Sequence, residues 1–264
     1  WMIRGPQGVG KATLAYRIAL SVLVHGDAAP ETLDVPESHP VASLVRAQSE
    51  SRLFTLRREW DREKKRHFTV IRAEDARNME GKLFRLSAAD GGWRVAIVDS
   101  ADELNPNAAN ALLKTLEEPP KRGLLILIVN SPGRLLPTIR SRCRRLSLRA
   151  PEPSETAGWL QSRHGVDARE AEGAAALAGG APGRALALLE TGAPALKESL
   201  DQALADLPRL DRSAVMTLCD AAGRKGGEAL KATVLEFLGD FARDRARSAA
   251  LSEAGSKAAR PWVA

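Results

Sequence analysis

Two uninterrupted apolar runs stand out from an otherwise amphipathic chain: Val95-Ala96-Ile97-Val98 and Leu124-Leu125-Ile126-Leu127-Ile128-Val129. Continuous apolar runs of this length suit strands buried on both faces of a parallel sheet. The first predicts a strand over Trp93 to Val98 that ends at Asp99, and the second a strand that ends at Asn130. Between residues 11 and 25, Leu14, Ile18, Leu20, Val22 and Leu23 recur at near-helical spacing, and His25-Gly26-Asp27 closes that helix. Further helices are predicted over about 74–87 and about 105–118. The second of these carries Leu112, Leu113 and Leu116 on one face and is stopped by Pro119-Pro120. Trp1 to Arg4 reads as the stub of a strand, His67 to Ile71 as a strand, and Gly91-Gly92 as a turn. Residues 27–50 are rich in Pro, Ser and Glu and read as a loop with one short helix at most. The mixed-charge run from Arg57 to Arg66 reads as a solvated helix face rather than a DNA patch. Strands alternating with helices predict an α/β layered domain over 1–148.

After Leu148 the pattern loses its strands. Pro151 and Pro153 mark a junction, and three short helices are predicted over 154–163, 168–178 and 182–191, within a unit spanning 149–193. Gly192-Ala193-Pro194 reads as a second junction. Residues 194–264 then read as longer amphipathic helices, broken near Gly223 to Gly227.

The 264 residues, 44% of them apolar, are enough for more than one core, and no stretch approaches the roughly 20 apolar residues of a membrane span. The net charge of +6 is compatible with a polyanionic partner. Cys143 and Cys219 are too few for a four-cysteine zinc site or a disulfide framework, which makes a reducing cytoplasm the default compartment. Because so little of a strand precedes the first glycine-rich loop, the chain is expected to be a fragment missing its natural start, with a truncated end as well.

That loop, Gly5-Pro6-Gln7-Gly8-Val9-Gly10-Lys11-Ala12, has the complete spacing of a phosphate-binding loop, with Gly5, Gly8, Gly10 and Lys11 in place. In a working loop of this kind a Ser or Thr follows the lysine and holds Mg²⁺. Here position 12 is alanine, and Thr13 lies about 100° further round the helix, pointing away from the metal position. Asp99 occupies the Walker B position at the end of a buried strand. The next residue is Ser100, where a water-orienting glutamate would stand in a hydrolysing enzyme. Asp102 and Glu103 read as helix-starting acids. Asn130 is suited either to a γ-phosphate contact or to a strand-end turn through Asn130-Ser131-Pro132-Gly133. Arg142, in the segment Pro137-Thr138-Ile139-Arg140-Ser141-Arg142-Cys143, is a candidate for an arginine delivered to a neighbour's γ-phosphate. On residues alone a surface ion pair accounts for it better. Arg184, after Gly183, is either an interdomain nucleotide contact or an ordinary helix-start charge.

The order of these motifs resembles the bacterial clamp-loader AAA+ family. The segment Asn110-Ala111-Leu112-Leu113-Lys114-Thr115-Leu116-Glu117-Glu118-Pro119-Pro120, followed by Ser141-Arg142-Cys143, is highly specific to it. Within that family the pattern is most similar to the delta-prime branch, and the motifs cover about residues 1–192. The resemblance implies an AAA+ P-loop core, a small helical lid and a C-terminal all-α collar. It implies a subunit of a hetero-pentamer that opens a sliding clamp and loads it onto primed DNA. Arg142 then corresponds to an arginine finger acting in trans, Asn130 to the first sensor and Arg184 to the second. The delta-prime role is non-hydrolysing, in agreement with Ala12 and Ser100. The loop is then left with ATP or ADP held without turnover, or with no nucleotide. Many relatives carry a four-cysteine zinc module after the first helix. Residues 27–66 contain no cysteine, so neither zinc nor any other metal is expected.

Two other readings remain. An active ATPase subunit of the gamma/tau type would need Ser or Thr at 12 and Glu at 100. A small-molecule P-loop kinase would leave Ser141-Arg142-Cys143 unexplained.

Overall fold

The computed structural model describes residues 1–28, 30–61, 63, 65–85, 92–205, 207, 211–213, 215, 216, 220 and 228–251. The chain divides into two compact units, Trp1–Pro151 and Glu152–Ala264.

The first unit is built on a five-stranded sheet whose strands pair in parallel throughout. Its strands are β1 (Met2–Arg4), β2 (Leu53–Leu56), β5 (Arg94–Asp99), β6 (Gly123–Val129) and β7 (Arg145–Ser147), in the order β2-β5-β6-β1-β7. The two apolar runs are thus adjacent strands near the centre of the sheet. Their side chains alternate between the faces, as the two-residue strand period requires. Ile3, Val95, Ile97, Ile126 and Ile128 pack on one side with Ala15, Ala19 and Leu23 of α1 (Lys11–His25). Met2, Ala96, Val98, Leu125, Leu127 and Val129 pack on the other. There they meet α3 (Ala73–Arg85), α4 (Pro106–Glu117) and α5 (Pro137–Arg142) through Met79, Leu112 and Ile139. Leu112 is fully buried, and Leu113 and Leu116 pack against the same core. The Asn105 side chain caps α4 by accepting the Ala108 N–H at 2.7 Å, with Pro106 at the first helical position.

Two expectations need correcting. The charged run after Arg57 is not a helix: Trp60–Asp61 (β3) and Arg66–His67 (β4) form a short antiparallel pair. The Trp60 ring meets the His67 ring edge-on at 5.0 Å. Nor is His67 to Ile71 a strand of the sheet. Only His67 belongs to a strand, and Ile71 makes a single bridge to Leu104. The sheet strand in this region is β2, whose alternation is too short to register in a periodicity count. The three-residue β7 escapes detection for the same reason. The short helix in the 27–50 loop is α2 (Pro40–Arg46). Gly91 and the breaker at 223–227 lie outside the described residues.

The second unit contains α6 (Pro153–His164), α7 (Ala168–Leu177), α8 (Pro182–Glu190), α9 (Ala193–Leu204) and α10 (Glu228–Leu251). Its core is dominated by small residues, with Ala171, Ala174, Ala175, Ala185 and Ala193 fully buried around Leu160, Leu188, Leu196 and Phe237. Alanines let helices approach closely and carry the strongest helix propensity. The Thr156 hydroxyl is buried and donates to the Gly180 carbonyl at 2.6 Å. The junction expected at Gly192-Ala193-Pro194 is a short break after α8, with Gly192 in the left-handed conformation as the N-cap of α9 and Ala193-Pro194 beginning that helix. Among the described residues no helix is long and apolar enough to cross a membrane.

Candidate functional site

The register of the sheet brings the glycine-rich loop, Asp99 and Asn130 to one edge, whereas Arg142 and Arg184 lie on other elements. Arg4 lies beside Val129, and Asp99 beside Ile128. The carboxyl ends of β1, β5 and β6 are therefore level, and Gly5, Ser100 and Asn130 leave the sheet side by side. In open parallel sheets this edge is where ligands bind.

The loop after β1 takes its shape from its glycines. At Gly5 a Cβ would sit 2.6 Å from the Leu148 carbonyl oxygen, so only glycine lets the loop pass the segment after β7. Gly10 adopts φ 96° as the N-cap of α1, in the left-handed region. Lys11 follows as the first residue of the helix, only 5% exposed. Its Nζ donates to the carbonyl oxygens of Gly5 at 2.8 Å and Pro6 at 2.7 Å. Burial lowers its pKa from the ordinary lysine value, and the negative charges of Asp102 and Asp99 oppose that shift. Gly8 has φ 79° in the same turn. Ala12 is half-buried and packs on the α1 side of the core, whereas Thr13 is exposed.

Across from the loop, Asp99, Ser100 and Asn130 form a polar chain. The Asn130 side-chain amide donates to the Ser100 hydroxyl at 2.8 Å, and that hydroxyl lies 3.4 Å from an Asp99 carboxylate oxygen. Asn130 is thus both a strand-end residue, followed by a 3₁₀ turn over Pro132–Arg134, and a partner of the Walker B segment.

Asp102 lies in a helical first turn, as expected, and has a tertiary role besides. It is 8% exposed in a 3₁₀ turn over Ala101–Glu103. Its two oxygens accept the backbone N–H groups of Asn130 at 3.0 Å and Ser131 at 3.2 Å. This link between the ends of β5 and β6 could not be read from spacing, since its partners lie 28 and 29 residues away. Glu103 pairs with Arg58 at 2.7 Å.

Arg142 ends α5 and is exposed. One guanidinium nitrogen meets Glu117, the last residue of α4, at 2.8 Å, and the other donates to the Thr138 carbonyl at 3.0 Å. Glu117 was not singled out from sequence, although its place in the Leu116-Glu117-Glu118-Pro119-Pro120 segment was on view. Arg184 lies on α8 in the second unit and is paired with Glu236 of α10. Among the described residues no group of three or more His, Cys, Asp or Glu side chains is arranged to hold a metal ion.

Comparison with known proteins identifies relatives of this chain. The family described as DNA polymerase III, delta subunit, matches residues 1–152. A DNA polymerase III subunit delta' of Pseudomonas aeruginosa is 35% identical over 183 residues, covering 69% of this chain and 53% of that protein. The subunit delta' of Escherichia coli is 43% identical over 115 residues, covering 44% of this chain and 34% of that protein. A DNA polymerase III subunit tau/gamma of Haemophilus influenzae is 27% identical over 166 residues, 61% of this chain and 21% of that one. The chain spans about half the length, or less, of the curated relatives it matches. With a glycine-rich loop, the strand ending at Asp99 and the strand end at Asn130 side by side in the sheet, and a family match over more than half its residues, the chain belongs to the DNA polymerase III delta-prime family.

Proposed function

We propose that this chain is a clamp-loader subunit that does not hydrolyse ATP itself and that supplies Arg142 in trans to a neighbouring subunit's ATP. The observation that carries the first half is Ala12. It sits on the first turn of α1, directly after Lys11, where a metal-holding hydroxyl is required, and its methyl group packs into the core. Ser100 adds to this. The residue after Asp99 offers a hydroxyl tied to Asn130, not a carboxylate able to orient water. An active gamma/tau-type ATPase would need both missing oxygens.

The loop still fits a phosphate in shape: Gly5 and Gly10 keep its turn, and α1 presents its N-terminus there. It does not fit Mg²⁺ at position 12. ATP or ADP would be held by the backbone N–H groups of the loop and by Lys11, whose Nζ would have to exchange the Gly5 and Pro6 carbonyls for phosphate oxygens. The chain's own residues then bind and shield the nucleotide without driving its cleavage.

Support for the second half is the family membership together with an exposed Arg142 on a short helix. An arginine brought to a γ-phosphate neutralises charge that builds up in the transition state and is worth about 10³–10⁵ in rate. The partners proposed are the other clamp-loader subunits of a hetero-pentamer, with the sliding clamp and primed DNA engaged through the assembly.

The test is reconstitution with catalytic clamp-loader subunits. The isolated chain is expected to release no phosphate from ATP above background. Arg142→Ala is expected to join the assembly and lower its DNA-dependent ATP hydrolysis. Steady Mg²⁺-dependent turnover by the lone chain would overturn the first half, and undiminished hydrolysis with Arg142→Ala the second.

A further inference from the structure

We infer that Glu117 is a positioning residue for Arg142, an inference that rests on the trans role proposed above. A guanidinium has five N–H donors. In Arg142 one N–H donates to the Thr138 carbonyl and the other terminal nitrogen lies 2.8 Å from a Glu117 carboxylate oxygen, which leaves further donors beyond these two contacts. The side chain is 38% exposed, so those donors are open to an anion on another chain. Two anchors on different elements, the end of α4 and the first turn of α5, set the plane of the guanidinium before any phosphate arrives. An unanchored arginine carries rotamer entropy that ordering at a phosphate would have to overcome.

The place of Glu117 argues that the pair is its purpose. It is the last residue of α4, where the macrodipole disfavours a carboxylate. It is half-exposed, with a side-chain accessibility of 51%, so packing does not require it. Glutamate is a good helix former, but dipole and burial leave a carboxylate at this position unexplained, and the contact with Arg142 explains it. The Glu117 carboxylate touches neither substrate nor reacting atoms in this scheme. It holds the group that does, and an exposed ion pair is weak enough to loosen when a triphosphate competes for the arginine.

The experiment is a double-mutant cycle in the reconstituted, DNA-stimulated assembly, with Arg142→Ala, Glu117→Ala and both together. Glu117→Ala is expected to lower kcat about 5- to 100-fold, between the worth of an exposed ion pair and that of a misplaced reacting group. The KM for ATP is expected to hold, because the lost contact matters in the transition state. Glu117→Gln, which keeps an acceptor oxygen, is expected to fall between. The Tm of Glu117→Ala should stay within about 2 °C of the parent. In the Arg142→Ala background the second substitution should add nothing. Loss with Arg142→Ala but none with Glu117→Ala would overturn the positioning role alone. An equal loss from Glu117→Ala with and without Arg142 would also overturn it, by showing an effect that does not pass through the arginine. No loss with Arg142→Ala would remove the trans reading, and the positioning role with it.

Discussion

The carboxylate of Asp102 accepts the backbone N–H of Asn130 at 3.0 Å, and with it the N–H of Ser131 at 3.2 Å. One buried side chain thereby ties the turn after β5 to the turn after β6, directly beside the phosphate loop.

Replacing Asp102 with alanine would leave both N–H groups without an acceptor in a part-buried setting. A loss of about 2–4 kcal/mol is expected, since each unsatisfied group costs about 1–3 kcal/mol and water can reach part of the site. Asp102→Asn keeps one acceptor and should lose less. Urea denaturation read by circular dichroism checks both, and a midpoint unchanged in Asp102→Ala would refute the role of the link. The same substitution removes one of the two charges that favour protonated Lys11. The lysine pKa, already below its ordinary value, should fall further, as followed by pH-dependent chemical labelling.

Restoring one missing oxygen is not expected to restore hydrolysis. Ala12→Thr would supply a metal-holding hydroxyl at the start of α1, yet Ser100 would still face Asn130 with no carboxylate to orient water. Phosphate release by the isolated Ala12→Thr chain should remain at background, while Mg²⁺-dependent retention of labelled ATP should rise. Sustained turnover in this single variant would show that Ser100 is not a second lesion.

Gly5→Ala tests the close passage of the loop. The added methyl would lie 2.6 Å from a backbone carbonyl oxygen of Leu148, at a φ of 155°. The nearest atoms, the carbonyl oxygen, carbonyl carbon and Cβ of Leu148, are not a flexible side-chain end, so the backbone must move, at a cost of about 1–3 kcal/mol. A thermal melt should show Tm lowered by several degrees, whereas a Tm equal to the parent's would mean that the loop has room to shift.

Acid should weaken the first unit through Glu50. Its side chain is only 5% exposed, and its carboxylate accepts the Arg52 backbone N–H at 3.1 Å and Nε at 2.9 Å. Hydrogen bonding from the Arg52 side chain, against the opposing effect of burial, holds the Glu50 pKa below the ordinary glutamate range. A carboxyl whose folded pKa lies below its unfolded one stabilises the fold above the unfolded value, near 4.3. That stabilisation is lost as pH falls through the lower, folded value. Glu50→Gln should therefore cost about 1–2 kcal/mol at neutral pH, discounted for the half-exposed arginine, and flatten the fall in stability on the acid side. Identical pH–stability curves for the two proteins would contradict this.

How much of this was legible in advance varies with how local the signal is. The helix over 11–25, the helix near 105–118 and the strands ending at Asp99 and Asn130 each rest on many consecutive residues, and each lies within a residue or two of its predicted place. β2 and β7 have four and three residues, too few for a period to show, and exist because β5 and β1 offer edges to pair with. The run after Arg57 has the mixed charge of a solvated helix but contributes a short antiparallel strand pair, since tertiary context outweighs a weak local preference.

The amino-acid order by itself determined which atoms are available: a loop with glycines and a lysine, no hydroxyl at position 12, no carboxylate at position 100, and an arginine after Ser141. Those are matters of composition at a position, and folding cannot supply an oxygen that the chain lacks. Only the tertiary structure decided that Asp102 binds the turn at Asn130 and that Glu117 holds Arg142. Both contacts join residues about 25–29 positions apart. They form because the parallel register and the packing of α4 against α5 bring those ends together, a relation that no local pattern encodes.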